Sequence, residues 1–411
     1  MKYCLMGEKL GHSYSREIHV KMGLEYDLVE VPKTDLEKFF KTTKYNGFNI
    51  TAPYKIEALK YVTNLTPVAK SIGSINAVKN VNGVLYGDNT DAEGMRYMIK
   101  RKGVSLKDKC VMILGSGGTS KTATTVCALE GAKKVTVVSR TGDVNYQNCY
   151  DLLDTEVIIH ATPVGTYPNV DGKVIDLSKF TNLIAVFDCV YNPFKTDLIM
   201  QAESLGLICS SGLPMLVKQA LVAEEFWLGV TINDDKTEEI ISKVHTEKTN
   251  IVLYGMSSAG KTTVGKMVAE KLNRDFIDTD VLIENRYKKT PSQIITEQGE
   301  DEFRRIESEI VSEVAKLSGK VISLGGGAVL RAENQTAIKR NSVLALITRD
   351  INLLTCVDRP IAKSVGIKQL YESRKDLYDT LKDFEILNNG DVLSAVTGVI
   401  KGYENTCDKR C

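Results

Sequence analysis

The sequence predicts an α/β protein whose mostly parallel sheets are built from strand–helix–strand units spread over more than one domain. Three observations lead there. Short β-rich runs alternate with helical patterns almost throughout the chain. Two glycine loops, at 115–120 and 255–262, each follow an apolar strand run and open a helical pattern. The length, 411 residues, exceeds what one core of about 150 residues accommodates, so two to three domains are expected.

In chain order, strand runs fall at 3–6, 26–31 and 48–50, with a helical stretch at 35–41. A hairpin follows, in which Ala77-Val78-Lys79 and Val84-Leu85-Tyr86 flank Asn82-Gly83, a pair suited to a type I′ turn. The run 111–114 opens a second alternating series, with strands at 135–138, 157–160, 184–188 and 207–209 and a closing helix at 215–228. Segment 231–250 is dense in charge (Asn233-Asp234-Asp235-Lys236, His245-Thr246-Glu247-Lys248) and reads as a surface helix plus linker. A fresh strand at 251–254 restarts the pattern, so the main boundary is placed near residue 246. There is no internal repeat and no low-complexity segment.

Composition excludes several classes. Hydrophobic residues make up 43% and charged residues 26%, the profile of ordinary globular protein. Basic and acidic residues nearly cancel, 53 against 52, which argues against bulk attraction to nucleic acid or an anionic membrane. No apolar stretch approaches the ~20 residues that span a bilayer, and the N-terminus reaches Gly7 too early for a signal peptide. Nine scattered cysteines without a Cys-x-x-Cys pair, and only four histidines, indicate neither a disulfide framework nor a zinc site. The expectation is a cytoplasmic chain with reduced thiols and small-molecule partners, its oligomeric state left open.

The two glycine loops point to two different phosphates. Gly115-Ser116-Gly117-Gly118-Thr119-Ser120 has the strand-to-helix setting of a dinucleotide site, where glycines let the backbone approach a pyrophosphate at a helix N-terminus. Its sixth position is Ser120 where Gly or Ala is usual, so a plain turn between strand and helix is the other reading. The end of the next strand carries Ser139-Arg140-Thr141 and no acid to accept a ribose 2′-hydroxyl. A guanidinium with two hydroxyls suits a 2′-phosphate, which favours NADP over NAD, although Arg140 also reads as a surface arginine at a strand end. Gly255-Met256-Ser257-Ser258-Ala259-Gly260-Lys261-Thr262 is a full G-x4-GK-[ST] phosphate loop, followed by Thr263. Its backbone cradles phosphates, Lys261 reaches the β/γ oxygens, and Thr262 offers a hydroxyl to Mg²⁺ with ATP.

Upstream lie three polar clusters: Gly11-His12-Ser13-Tyr14-Ser15, Asn49-Ile50-Thr51-Ala52-Pro53-Tyr54-Lys55, and Ile75-Asn76-Ala77 with Gly87-Asp88-Asn89-Thr90-Asp91. Singly, each reads also as turn or cap chemistry, with Ser15 capping a helix and Asp91 starting one. Together with the dinucleotide loop they resemble shikimate dehydrogenase from residue 1 to about 245. The resemblance implies that Ser13, Ser15, Thr51, Asn76, Asp91 and Gln219 hold the shikimate carboxylate and hydroxyls. It makes Lys55 and Asp91 the proton-moving pair. Tyr191 lies near substrate, and Gly212 and Met215 lie by the nicotinamide. Ala52 and Tyr54 replace the commoner Val and Phe, and the segment 142–150 is short and lacks a second basic residue.

After the second loop come Asp278-Thr279-Asp280, then Gly299 to Glu307 with Arg304-Arg305, then Gly325-Gly326-Gly327. This set resembles shikimate kinase from about 248 to 400. The resemblance implies that Asp278 positions Mg²⁺ and Asp280 accepts the proton of the attacking hydroxyl. Arg304 and Arg374 clamp the carboxylate, Gly326 donates backbone N–H, and Arg359 steadies the transferring phosphoryl group. Arg304-Arg305 in an acidic helix reads also as ion pairs with Glu300, Glu307 or Glu309. The lid at 350–359 is short and lacks the arginine expected on adenine. The implied organisation is an α/β substrate domain at 1–95, completed by a helix at about 215–240. A Rossmann-type NADP domain follows at 96–214, and a P-loop kinase domain like the nucleoside-monophosphate kinases at 247–411. The two resemblances name consecutive steps on one metabolite.

Overall fold

The computed structural model describes residues 1–11, 13–355 and 364–410, and the chain forms two compact units, Met1–Ile241 and Ser242–Cys411. The first unit holds two sheets. One comprises β1 (Lys2–Gly7), β2 (Glu25–Glu30), β3 (Gly47–Ile50), β4 (Asn64–Leu65), β5 (Ala77–Val81) and β6 (Val84–Asp88), in the order β2-β1-β3-β5-β6-β4. It is mixed: β1 runs parallel to β2 and β3, whereas β5 is antiparallel to β3 and β6. The β5–β6 turn has Asn82 at φ 51° and Gly83 at φ 86°, the two left-handed residues a type I′ turn demands.

Each face of this sheet has its own core. Met6, Phe48, Ile50 and Tyr54 pack on one side, and Tyr3, Tyr26, Ala77 and Trp227 on the other. Trp227 comes from the helix Leu213–Leu228; its ring stacks on Tyr3 at 4.9 Å and its Nε1 donates to the Val78 carbonyl at 3.0 Å. A Cβ on Gly47 would lie 2.6 Å from that indole, so only glycine fits beneath it. The helix stops at Gly229, φ 70°, and does not run on to about 240 as expected. A left-handed glycine ends it.

The second sheet, β7 (Cys110–Leu114), β8 (Lys134–Val138), β9 (Val157–His160), β10 (Ala185–Asp188) and β11 (Ile208–Ser210), is parallel throughout in the order β11-β10-β9-β7-β8. β7, β9 and β10 are buried along their whole length, which is why they read as continuous apolar runs. The helices Asp91–Arg101 and Leu213–Leu228 touch closely, because a Cβ on Gly94 would stand 2.6 Å from the Met215 carbonyl. That contact brings Asp91 and Gln219 to one place.

The segment expected as surface helix plus linker is one helix, Asp234–Lys248, and β12 (Asn250–Tyr254) begins two residues later. Its charges occupy the outer face, while Thr237, Ile240, Ile241 and Val244 are buried. The division between the units falls inside this helix. The second unit is a parallel sheet, with β13 (Phe276–Asp278), β14 (Val321–Ser323), β15 (Ser342–Thr348) and β16 (Phe384–Leu387) in the order β13-β14-β12-β15-β16. Among the described residues no helix is long and apolar enough to cross a membrane.

Candidate active sites

In the first unit a cleft of about 190 Å³ is lined by Ser13, Ser15, Thr51, Lys55, Asn76, Asp91, Thr119, Tyr191, Gly212, Met215 and Gln219. Asn49 and Cys189, which the sequence reading did not single out as site residues, line it too. At its centre the Lys55 ammonium donates to Asp91 Oδ2 at 2.6 Å, with the lysine side chain 20% exposed and the carboxylate 7%. Asp91 is the first residue of its helix, where the partial positive charge of the helix terminus favours a carboxylate.

Asn76 organises the rest. Its Nδ2 donates to Asp91 Oδ1 at 2.9 Å and to Gln219 Oε1 at 3.2 Å, while its Oδ1 accepts from the Thr90 N–H at 2.7 Å. The short helix Ser15–Lys21 has Tyr14 at its cap position; Ser15 does not cap it, and the Ser13 hydroxyl accepts from the Ser15 N–H at 3.2 Å. Burial pushes the Tyr191 phenol up, opposed by a hydrogen bond to Ser13. The Cys189 thiol is raised by burial and by the charges of Asp188 and Asp91, so it stands in the cleft as a neutral group.

The dinucleotide loop adjoins this cleft. Gly115 has φ 113°, and a Cβ there would meet Thr162 Cγ2 at 2.8 Å and the Ala161 carbonyl at 3.0 Å. Gly117 caps the helix Gly118–Leu129, and a Cβ on Gly118 would come within 3.7 Å of the Lys55 side chain. A pyrophosphate at this helix start would therefore leave its nicotinamide end near Lys55. Ser139, Arg140 and Thr141 do not line the cleft; they follow the C-terminal end of β8, the place for a ribose. The Ser139 N–H donates to the Val144 carbonyl at 3.1 Å, closing a tight turn. Arg140 is exposed, and its charge opposes the burial that raises the Tyr146 phenol. These groups fit a 2′-phosphorylated dinucleotide.

In the second unit the phosphate loop requires its glycines. Gly255 (φ 138°) and Gly260 (φ 94°) are left-handed. A Cβ would lie 2.3 Å from the Ile347 carbonyl at the first and 2.2 Å from Asn388 Nδ2 at the second. Asn388 also ties the loop by donating to the Ala259 carbonyl at 2.8 Å. The Lys261 ammonium donates to the Gly255 and Met256 carbonyls at 3.1 and 2.9 Å. The Thr262 hydroxyl donates to Asp278 Oδ2 at 2.7 Å, and Asp278 Oδ1 caps the next helix by accepting from the Asp280 N–H at 3.0 Å. This hydroxyl–carboxylate pair at a phosphate loop is the hard oxygen chemistry that suits Mg²⁺. Thr263 is exposed beside it.

Arg304 is buried and makes the ion pairs that its helix spacing suggested. Nη1 donates to Glu307 Oε2 at 2.6 Å and Nη2 to Glu300 Oε1 at 2.9 Å. Arg305, by contrast, pairs with Glu302 and Glu309 on the outer face. Arg374 Nη1 and the Tyr378 hydroxyl both donate to the Gly326 carbonyl, at 2.9 and 2.5 Å. A Cβ on Gly325 would lie 2.7 Å from Glu307 Oε1 and 2.8 Å from Asp280 Oδ1, and one on Gly327 2.4 Å from the Arg304 guanidinium. The glycine run thus lets Asp280, Arg304, Glu307 and Arg374 converge. Glu307 and Tyr378 were not singled out as site residues; their signals were spacing, three residues after Arg304 and four after Arg374. Arg359 lies outside the described residues.

Fold and sites define the class: a dinucleotide-dependent dehydrogenase unit followed by a P-loop phosphotransferase unit. The comparisons agree. Residues 5–78 match the shikimate dehydrogenase substrate binding domain and residues 257–402 match shikimate kinase. A shikimate dehydrogenase (NADP(+)) of Alkaliphilus oremlandii is 33% identical over 265 residues, 56% of this chain and 92% of that protein. The structure of shikimate dehydrogenase 1 from Peptoclostridium difficile superposes with a TM-score of 0.56 at 32% identity, covering 59% of this chain and 97% of that one. Shikimate 5-dehydrogenase from Thermus thermophilus, solved with NADP(H) and shikimate, gives 0.53 at 27% identity over 59% and 99%. The chain belongs to the shikimate dehydrogenase family and carries a shikimate kinase domain in its second unit. It is a bifunctional shikimate-pathway enzyme that uses NADP and ATP with Mg²⁺.

Proposed function

We propose that the first unit reduces 3-dehydroshikimate to shikimate and the second phosphorylates the 3-hydroxyl of shikimate. The observation that carries the first half is the Lys55–Asp91 pair at 2.6 Å in a polar cleft beside the dinucleotide loop. NADP, when bound, supplies or accepts the hydride. Lys55 gives its proton to the carbonyl oxygen as that oxygen gains charge, and takes it back from the hydroxyl in the reverse direction. Asp91 keeps the ammonium aimed. Ser13 and Ser15 hold the substrate carboxylate, Thr51, Asn76 and Gln219 its hydroxyls, and Tyr191 closes that end. Gly115, Gly117, Gly118 and Thr119 carry the pyrophosphate, Ser139, Arg140 and Thr141 the 2′-phosphate, and Gly212 and Met215 border the nicotinamide.

In the second unit Asp280 accepts the proton of the attacking hydroxyl, while Arg304, Arg374 and the Gly326 N–H orient the substrate. Gly255, Gly260, Lys261 and Thr263 hold the phosphates, Thr262 and Asp278 would hold Mg²⁺, and Arg359 completes the charge neutralisation on which phosphoryl transfer depends. We assign the substrate domain to 1–95 with the helix Leu213–Leu228, the NADP domain to 96–214 and the kinase domain to 247–411, and the chain to the cytoplasm. The test is direct: purified chain is assayed for shikimate-dependent NADP reduction and for shikimate-dependent ATP consumption. Both rates should be present, and absence of either removes the corresponding half of the assignment.

A further inference from the structure

Behind the cleft of the first unit lies a buried polar ladder that the reaction scheme above does not use. His19, on the helix Ser15–Lys21, is fully buried. Its Nδ1 lies 2.7 Å from Glu224 Oε1, on the helix Leu213–Leu228, and its Nε2 lies 3.1 Å from Asn49 Oδ1. The Glu224 side chain is only 2% exposed. The orientation of the Asn49 amide follows from its other partners. Its nitrogen donates to the Asn76 backbone carbonyl at 3.2 Å, a group that only accepts. Its oxygen accepts from the Tyr26 hydroxyl at 2.7 Å, and burial together with the Glu224 charge pushes the Tyr26 phenol up, so that hydroxyl keeps its proton.

Both ring nitrogens of His19 therefore face acceptors. A neutral imidazole has one N–H and satisfies one of them; the other contact would set lone pair against lone pair at hydrogen-bond distance. We infer that His19 and Glu224 hold two protons between them, one on Nε2 and one on Nδ1 donated to Oε1, and that this net-neutral pair is the positioning device for Asp91 and Lys55. The inference rests on the assignment of those two residues as the proton-moving pair. The ring's surroundings favour the extra proton: Tyr26 stacks on it with centroids 4.1 Å apart and Trp227 approaches at 5.4 Å, aromatic groups that attract a cation.

The link to the reacting groups is a chain of amides. With Nε2 protonated, Asn49 presents oxygen to His19 and nitrogen to the Asn76 carbonyl, which also accepts from the Ile50 N–H at 2.8 Å. The Asn76 side chain in turn holds Asp91 Oδ1, and Asp91 holds Lys55. An amide turned over at Asn49 would place oxygen against oxygen at Asn76 and disturb the residue that fixes Asp91. His19 touches neither substrate nor Lys55; it acts through Asn49.

Two measurements test this. In chain labelled with ¹⁵N-histidine, with His19 assigned by its loss in His19→Gln, both ring nitrogens should resonate as protonated species; a single protonated nitrogen overturns the inference whatever the kinetics show. In Glu224→Gln and His19→Gln, kcat of the dehydrogenase should fall roughly ten- to a hundredfold, the worth of one buried charge-assisted hydrogen bond, with NADP affinity unchanged. The double variant should lose no more than either single one, because the two residues act as a unit. Unchanged kcat, additive losses, or NADP affinity falling in step with kcat would each overturn the positioning role. A wild-type chain without dehydrogenase activity would instead overturn the proposed function and leave the ¹⁵N result standing.

Discussion

Replacing Lys55 by alanine removes the only side chain in the Asp91 pair that can deliver a proton, and the geometry sets what should follow. Nζ sits 2.6 Å from Asp91 Oδ2, so the ammonium is held within reach of one position in the cleft. Loss of a positioned acid–base group typically costs 10²–10⁴-fold in rate, and dehydrogenase kcat should fall by about that much. A second cost is structural: Asp91, with its side chain 7% exposed, loses a charged partner but keeps the Asn76 hydrogen bond. That leaves a destabilisation of about 1–3 kcal/mol, small enough for the unit to stay folded in the cold. Asp91→Asn keeps the shape but removes the charge and one of the two acceptor oxygens, so it should lower kcat by a similar factor. The double variant should be little worse than either. The assay follows oxidation of the reduced dinucleotide by absorbance, with kinase turnover on the same preparation, which should stay within about twofold. Full turnover in Lys55→Ala, or loss of both activities in a chain of normal thermal stability, would refute the proton-shuttle assignment.

Three other outcomes follow from the two sites. Arg140→Asp should shift the ratio of kcat/KM for NADP over NAD by roughly ten- to a hundredfold toward NAD, the worth of a charge-assisted hydrogen bond to the 2′-phosphate; an unchanged ratio would place the phosphate site elsewhere. Gly260→Ala should abolish kinase turnover and spare the dehydrogenase, since its φ is 94° and the new methyl would lie 2.2 Å from Asn388 Nδ2; normal ATP kinetics in this variant would show that the loop needs no left-handed residue there. Glu307 is raised above its ordinary 4.5 by burial, with Arg304 opposing, so the native chain binds that proton more tightly than the unfolded chain. Its contribution to stability is thus full at acid pH, below the unfolded value, and is lost as pH rises through the raised native value. Glu307→Gln should flatten that decline in thermal scans of the second unit, and an identical pH slope in variant and wild type would count against it.

The parts of this architecture that local chemistry dictates were legible in the sequence. The Asn82-Gly83 turn, the buried parallel strands and both glycine loops follow from φ preferences and from apolar runs with no alternation. Segment 231–250 was misjudged because its charge density hid three apolar residues, Ile240, Ile241 and Val244, that face inward on one helix. The closing helix reads as 215–228 in the sequence, ending before Gly229 as it does in the structure, and only the domain division carries it on to about 240. At the sites, most residues inside polar motifs were found, Asn49 excepted, and residues inside apolar or acidic surroundings were not. Asn49, Cys189, Glu307 and Tyr378 look, in sequence, like parts of a strand or a helix face. Only the tertiary contact shows where they point.

The same division runs through both units and explains why motif residues alone do not specify a working site. Arg304 stands in the motif, but a guanidinium buried on one helix stays there because Glu307, one turn on and deeper still, meets its charge. Removing the deeper partner would leave that guanidinium with only the more exposed Glu300 to meet its charge, a loss for which a bound substrate carboxylate would compensate. Lys55 has the equivalent arrangement, with Asp91 before it and Asn76 behind that carboxylate. In each case the direction of a group assigned to the reaction is fixed by a partner buried behind it. Substitutions at the inner layer should therefore be felt chiefly in kcat, where orientation matters, and less in the affinity of groups that the outer layer already grips.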